Sequence, residues 1–249
     1  MNIAERAIEI ARNEGIYVFA KKALNYIKQK SKFLLLFYAI FKIKTFKDNN
    51  NLNITLNFAF NGLWGVIKPS QVYEEILELL KILNEEEPRV VLEIGTANGG
   101  TLFLFSRIAS KDATLISVDL PKGMFGGGYP IWRIPLYKSF ALSNQKIRLI
   151  RADSHKQSTL DRVKSILNGT EIDFLFIDGD HSYKGVKKDF EMYSPLVKKG
   201  IIAFHDIVLG PGELVGGVPE FWREIKGKYN TREIVKDWGQ GGIWNWSYI

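Results

Sequence analysis

Residues 90–101 read VVLEIGTANGGT, and this stretch decides the fold class of the 249-residue chain. Its first five residues form a nearly continuous β-forming run, which is typical of a strand buried on both faces of a parallel sheet. A glycine-rich turn follows at once and leads into a helical pattern at about 99–109. A strand, a tight turn and a helix in this order indicate the start of a βαβ unit.

Four further β-rich runs follow, and helical patterns separate them. The runs are 114–118, 147–150, 174–177 and 201–204, with helices predicted at about 131–143, 158–168 and 183–196. A helix is also predicted before this region, from Ser70 as its N-cap, after an irregular aromatic stretch at 58–68. Near the end, a helix at 218–228 precedes two strand-like runs, 232–236 and 243–248, whose glycine-rich connection is typical of a hairpin. The pattern predicts an α/β fold with a doubly wound, mostly parallel sheet.

The first 48 residues differ from the rest of the chain in their charge. They hold ten Lys or Arg against four Asp or Glu, whereas residues 49–249 hold 24 against 23. Apolar residues recur at helical spacing up to a polar break at 47–51. We therefore expect a basic helical N-terminal appendage at residues 1–50 and a separate domain at residues 51–249. Because the body is close to neutral, we expect no nucleic-acid partner.

Cysteine content, targeting signals and the length of the apolar runs indicate where the chain is located. The chain has no cysteine, shows no secretory signal, and its longest apolar run, 33–41, is too short to cross a bilayer. We expect a cytoplasmic protein that forms a homo-oligomer and acts on a small molecule. The basic appendage predicts a lid and oligomer contact, a peripheral membrane contact through residues 1–48, or a solvated helical extension with no partner.

Polar side chains follow each of the five predicted parallel strands. Glu93 and the glycine turn end the first; Asp119 ends the second; Asp153, Ser154 and His155 follow the third; Asp178, Asp180 and His181 follow the fourth; His205 and Asp206 follow the fifth. All three histidines of the chain are among them. Since ligands of open α/β sheets bind beyond the carboxyl ends of the strands, this pattern predicts a shared crevice there.

The first loop discriminates among ligands. A dinucleotide fingerprint requires Gly-x-Gly-x-x-Gly, and Ala97 stands at the middle glycine position. A carboxylate from Glu93 pointing into the crevice would repel a pyrophosphate, but it suits a ligand that carries an ammonium group. Asp119 is placed to accept hydrogen bonds from ribose hydroxyls, and Asp153 from an exocyclic adenine amine.

The stretch 91–101 resembles motif I of the class I S-adenosylmethionine-dependent methyltransferases, and Asp119 and Asp153 match the acidic positions of the next two motifs. Residues 176–183 and 200–206 resemble the family-24 methyltransferase domain and, more distantly, catechol and macrocin-type O-methyltransferases. The resemblance covers roughly residues 60–249 and implies a seven-stranded sheet whose last strand is antiparallel. It implies S-adenosylmethionine as cofactor, bound by Glu93, Gly95, Thr96, Asn98, Gly99, Gly100, Asp119, Asp153, Ser154 and Asp178.

The same resemblance implies a divalent metal. Asp178 and Asp206 match two metal ligands of the catechol-type enzymes, but Ile207 stands in place of the third, an asparagine. His205 is the candidate to complete the set, which suits Mg²⁺ or Mn²⁺ and also Fe²⁺ or Zn²⁺. The alternative is that these three residues bind no metal and only hydrogen-bond cofactor and substrate.

We therefore expect metal-assisted O-methylation of a small-molecule hydroxyl, on a sugar or a glycosylated metabolite. Asp180 and His181 are the candidate catalytic bases, with a slight preference for Asp180. Two alternatives stay open. One is a non-methylating relative, either hydroxylase-like or a scaffold. The other is a metal-dependent glycosyltransferase that uses the carboxylates of Asp178 and Asp180.

Overall fold

A computed structural model describes residues 34–47, 50–123, 128–210, 215–235 and 246–248. They fall into two units, divided between Thr45 and Phe46. In the first unit, residues 34–45 are helical. The helices expected before residue 34, the centre of the loop after the second strand and the turn between the last two strands lie outside the described residues.

The second unit alternates strands and helices along most of its length. The helices are α1 (Leu52–Asn61), α2 (Tyr73–Glu86), α3 (Gly100–Ile108), α4 (Ile134–Lys138), α5 (Gln157–Leu167), α6 (Tyr183–Tyr193) and α7 (Val218–Ile225). The strands are β1 (Val90–Ile94), β2 (Thr114–Asp119), β3 (Lys146–Arg151), β4 (Phe174–Ile177), β5 (Ile201–Phe204), β6 (Arg232–Ile234) and β7 (Trp246–Tyr248). Three 3₁₀ turns complete the set: Ile131–Arg133, Ser194–Leu196 and Lys226–Lys228.

The strands form one sheet in the order β3-β2-β1-β4-β5-β7-β6. The first five strands pair in parallel, and β7 pairs antiparallel with both β5 and β6. The chain therefore leaves β1 toward one edge, through β2 and β3, and returns to fill the other half from β4. This topology confirms the predicted α/β class with a largely parallel sheet, wound in both directions from its centre.

The centre of the sheet is buried on both faces. Every residue of β1 and β4 is buried, which explains why their sequences read as continuous apolar runs. On one side, α3 is almost wholly buried, and its Phe103 packs against Phe58 of α1 with ring centroids 5.5 Å apart. On the other side, Phe190 of α6 and Phe221 of α7 pack against each other and against Phe204 of β5.

Three predictions about local structure are wrong. The helix expected from Ser70 begins at Tyr73 and has Val72 at its cap, with no side-chain cap bond. The stretch expected to be irregular from residue 58 is helical up to Asn61, because Asn51 caps α1 by accepting from two backbone N–H groups. The helix expected at 131–143 ends at Lys138, and the chain then turns.

Because the central strands are parallel and in register, their carboxyl ends lie next to one another on the same side of the sheet. Ile94, at the end of β1, pairs with Val118 of β2 and Ile177 of β4, and Ile177 pairs in turn with Phe204 of β5. The residues that follow these four strands therefore emerge side by side. Among the described residues, no helix combines the length and the apolar character that crossing a bilayer requires.

Candidate functional site

A cavity of about 490 Å³ opens at the carboxyl ends of the parallel strands. Most of the predicted site residues line it: Gly95, Thr96, Asn98, Gly100, Asp119, Asp153, Ser154, Asp178, Asp180, His181 and His205. Glu93, Gly99 and Asp206 were predicted with them but are not among the lining residues. One cavity thus unites residues that follow all five parallel strands.

The turn after β1 forms the floor of the cavity through a close approach to the chain after β4. Gly95 has a φ of 91°, and a Cβ at this position would lie 1.9 Å from the carbonyl oxygen of Asp178. Any side chain there would force the two loops apart. The glycine therefore allows the loop that begins at Gly95 to lie directly against the loop that carries Asp178.

Glu93 does not point into the cavity, contrary to the role inferred from the sequence. Its side chain is fully buried, and its carboxyl group accepts hydrogen bonds from the hydroxyls of Thr96, at 2.8 Å, and Thr101. The Thr96 hydroxyl also contacts the Ser117 hydroxyl at 2.6 Å. Burial raises the pKa of Glu93 to about 8, despite these hydrogen bonds. Glu93 therefore fixes the turn from beneath and does not offer its charge to a ligand.

Asp119 ends β2 and lies in the cavity wall. Its Oδ2 accepts a hydrogen bond of 3.0 Å from the backbone N–H of Ala97, which ties the carboxylate to the glycine turn. Burial raises the pKa of Asp119 to about 6. Its second oxygen, Oδ1, is a further acceptor for hydroxyl donors in the cavity.

Asp153 and His155 form the wall that follows β3. The backbone N–H of His155 donates to Asp153 Oδ1 at 2.9 Å, and His155 Nε2 lies 3.2 Å from Asp189 Oδ1 and 3.1 Å from the carbonyl oxygen of Gly185. The hydrogen bond to Asp189, a buried residue of α6, raises the pKa of His155. This contact holds the loop after β3 against α6.

Two carboxylates and two imidazoles form a compact cluster after β4 and β5. His205 Nδ1 lies 3.2 Å from Asp178 Oδ1 and 3.3 Å from Asp206 Oδ1. His181 lies between the same carboxylates, with Nε2 3.4 Å from Asp178 Oδ1 and Nδ1 3.0 Å from Asp206 Oδ2. One ligand atom each from Asp178, His205 and Asp206 lies within 4.8 Å of the other two. The positive φ of Asp206, 63°, turns the chain at this point.

The imidazoles and the Asp178 carboxylate of the cluster shift one another's pKa values toward the charged forms. Burial alone would lower the pKa of both histidines, but the two carboxylates outweigh it and raise the pKa of His181 to about 11 and that of His205 to about 10. Burial would likewise raise the pKa of Asp178, and the histidines hold it at about 2. The two imidazoles and the Asp178 carboxylate therefore stabilise one another's charged forms in this arrangement.

Asp180 lines the cavity beside this cluster. Its Oδ1 accepts a hydrogen bond of 2.9 Å from the backbone N–H of Ser182, the residue that caps α6. A Cβ on Gly185 would lie 2.1 Å from the carboxyl carbon of Asp180, so this glycine provides the space that the carboxylate occupies. The turn and the helix together fix the Asp180 side chain.

Three contributions to the site were missed from the sequence. Gln71 lies in the bend before α2, and its Nε2 donates to Asp178 Oδ2 at 3.0 Å. Asp189 fixes His155, and Tyr137 of α4 donates its hydroxyl to the carbonyl oxygen of Ala97 at 2.6 Å. Asp189 could have been predicted, because it is a polar residue on an otherwise apolar face of its helix. Gln71 and Tyr137 gave no such signal.

Comparison with known proteins agrees with the geometry. Residues 92–207, just under half of the chain, match a family model described as a methyltransferase domain. An uncharacterized protein of Acanthamoeba polyphaga mimivirus is 33% identical over 132 residues, which are 53% of this chain and 57% of that protein. The chain therefore spans little more than half the length of this curated relative.

Solved structures share the fold. The O-methyltransferase TomG from Streptomyces achromogenes, solved in complex with S-adenosylmethionine, has a TM-score of 0.53 at 16% identity. The match covers 84% of this chain and 93% of the TomG chain. The TDP-rhamnose 3′-O-methyltransferase of calicheamicin biosynthesis has a TM-score of 0.52 at 17% identity. The match covers 83% of this chain and 90% of that enzyme. The fold is the α/β fold of these methyltransferases.

The raised pKa of Glu93 makes the stability of the chain depend on pH. Between the ordinary pKa of 4.5 and about 8, the folded protein retains a proton on Glu93 that the unfolded chain has lost. The contribution of Glu93 to the free energy of unfolding therefore falls as pH rises through this window, by about 1.4 kcal/mol for each pH unit. Glu93→Gln should remove this component, as measured by urea denaturation between pH 5 and pH 9. The exposed Glu171→Gln is the control and should parallel the wild type. Parallel curves for Glu93→Gln and the wild type would contradict a buried, protonated Glu93.

Proposed function

We propose that the chain transfers a methyl group from S-adenosylmethionine to a hydroxyl of a small molecule, because residues 92–207 match the model of a methyltransferase domain. One observation carries the proposal: the glycine turn, Asp119 and Asp153 border a single cavity at the ends of three adjacent strands. This arrangement offers carboxylates to ribose and adenine. At position 97, where a dinucleotide site requires its middle glycine, the chain has alanine.

The proposed cofactor follows the edge of the sheet. Asp119, whose Oδ2 is held by the backbone N–H of Ala97, is the acceptor for the ribose hydroxyls. Asp153 and Ser154, after the outer strand β3, face the adenine. Asp178, beyond the centre of the sheet and against Gly95, faces the methionyl end. The methyl group is then directed toward the cluster after β4 and β5.

Asp180 is the residue we propose as the catalytic base. Methyl transfer is an in-line displacement at the sulfonium carbon, so the acceptor oxygen must be oriented and must lose its proton. His181 lies between Asp178 and Asp206, with Nε2 3.4 Å from one carboxylate and Nδ1 3.0 Å from the other, so both of its ring nitrogens are engaged within the cluster. Asp180 lines the same cavity and is fixed by the backbone N–H of Ser182.

We propose Asp178, His205 and Asp206 as the ligands of a divalent metal. Their oxygen and nitrogen atoms lie close enough to share one ion, and the two carboxylates supply the charge that would compensate it. An ion of charge +2 would interact with these carboxylates in place of the protonated histidines. When bound, the metal would lower the pKa of the acceptor hydroxyl and fix its position.

One structural neighbour and the rim of the cavity bear on the class of acceptor. A sugar or a glycosylated metabolite is favoured, because one structural neighbour is a TDP-rhamnose 3′-O-methyltransferase with the same fold. The rim of the cavity agrees with a polar acceptor, since Ser70, Asp180 and His181 border it. Labelled S-adenosylmethionine incubated with fractionated cell extract would identify the methylated product.

The cofactor assignment predicts the effect of Asp119→Ala. Loss of the ribose acceptor should weaken the binding of S-adenosylhomocysteine by about 1.5–3 kcal/mol, the range for a hydrogen bond to a charged group. Titration calorimetry measures this change, and nicotinamide dinucleotides should give no binding heat. Asp161→Asn, on the exposed face of α5, is the control and should bind as the wild type does. Unchanged affinity in a folded Asp119→Ala protein would remove the assignment of the ribose site.

The metal assignment predicts the effect of chelation. Treatment with excess EDTA should abolish methyl transfer, and Mg²⁺ or Mn²⁺ added back should restore it, while S-adenosylhomocysteine binding largely survives. Elemental analysis should find about one metal ion per chain before chelation and less after Asp206→Asn, which suits the left-handed backbone of that position. Full turnover in EDTA, with no metal in the protein, would contradict a metal-assisted reaction.

We further propose that the basic N-terminal region contacts a membrane surface. In the helix at 34–45, Leu34, Phe37 and Phe41 lie on one face and are 64–70% exposed, whereas Leu36, Ala39 and Ile43 on the opposite face are buried. Lys42 and Lys44 lie on either side of the exposed face. This combination suits an anionic lipid surface, into which aromatic side chains insert while lysines reach the headgroups. A second copy of the chain fits less well, because it would bring lysines together.

Vesicle flotation tests this contact. The protein should float with vesicles of phosphatidylcholine and phosphatidylserine at low salt, and Phe37→Ser combined with Phe41→Ser should reduce binding about tenfold or more. Ile131→Ser, which removes an equally exposed side chain elsewhere, is the control. Absence of flotation, or a double variant that turns a dimer into a monomer without affecting flotation, would overturn the membrane contact.

A further inference from the structure

The amide of Gln71 is the feature of the cavity that the reaction described above leaves without a role. Gln71 lies in the bend before α2, outside the residues that match the methyltransferase family, and is 6% exposed. It nevertheless lines the cavity. The segment that carries it packs against the start of α3: a Cβ on Gly100 would lie 2.3 Å from the carbonyl oxygen of Ile67.

The orientation of this amide follows from its contact with Asp178. Gln71 Nε2 donates to Asp178 Oδ2 at 3.0 Å, and a carboxylate only accepts, so the NH₂ group must face it. The amide oxygen Oε1 is thereby directed away from Asp178. Oε1 is buried and has no hydrogen-bond partner among the described residues. A buried acceptor of this kind costs free energy until a donor satisfies it.

We infer that Gln71 Oε1 binds the ammonium group of the methionyl part of S-adenosylmethionine. The inference rests on the proposed function. The ammonium carries three N–H donors and a positive charge, which fits an unsatisfied amide oxygen in the same cavity wall as the carboxylate of Asp178. Asp178 lies against the glycine turn, so the acceptors are at the end of the cavity away from Asp153. Lys68, on the same segment as Gln71, lines the cavity and supplies a positive charge for the carboxylate of the same amino-acid group.

Gln71→Met tests the inference with two ligands that differ in the amino-acid group. Methionine has the length of glutamine and no amide oxygen. Titration calorimetry should show S-adenosylhomocysteine bound about 10- to 100-fold more weakly by the variant, the loss expected for one hydrogen bond to a charged group. Methylthioadenosine keeps adenine and ribose but has no ammonium, and its affinity should be unchanged. Gln157→Met, the same substitution at an exposed position at the start of α5 outside the cavity, is the control and should bind both ligands as the wild type does.

The remaining outcomes separate this inference from the proposed function. Unchanged affinity of Gln71→Met for S-adenosylhomocysteine would overturn the role of Gln71 while leaving the cofactor site intact. Equal losses for both ligands would also overturn it, because the substitution would then act on the cavity as a whole. If the wild type binds neither ligand, the proposed function itself fails.

Discussion

The close contact between Gly95 and Asp178 is the constraint on which the rest of the site depends. With no Cβ at position 95, the turn after β1 lies directly on the chain after β4, at the centre of the sheet where the strand order reverses. The contact places Asp178 at the glycine turn and, through the parallel register, beside the residues that end β5. The cavity, the Asp119 carboxylate and the cluster of carboxylates and histidines are all arranged around this point.

Charge is distributed differently on the two sides of that contact. Beneath the turn, Glu93 is buried without a nearby cation, and burial therefore favours its neutral form. Its hydrogen bonds with Thr96 and Thr101 stabilise the turn. Beyond the turn, His181 and His205 lie between Asp178 and Asp206, and the two histidines hold the pKa of Asp178 low. The same physical rule, that a buried charge requires a partner, gives a neutral carboxyl on one side and a carboxylate paired with histidines on the other.

The sequence predicted the strands and the residues at their ends well, because strands buried on both faces read as apolar runs and polar residues stand out where they stop. The orientation of Glu93 was not predictable, since a strand buried on both faces has no alternation to reveal which way a side chain points. Gln71 was missed because 107 residues separate it from Asp178 and only the packed fold brings them together. The start of α2 was misplaced because Ser70 matched a capping preference that the chain does not use there.

A crystal structure of the protein with S-adenosylhomocysteine and Mn²⁺ tests the central claim most directly. The account predicts ribose hydroxyls within hydrogen-bond distance of Asp119, the adenine beside Asp153, and metal density among Asp178, His205 and Asp206. It would be contradicted by a ligand bound away from the carboxyl edge of the sheet. It would equally be contradicted by a cavity that stays empty at saturating ligand concentration.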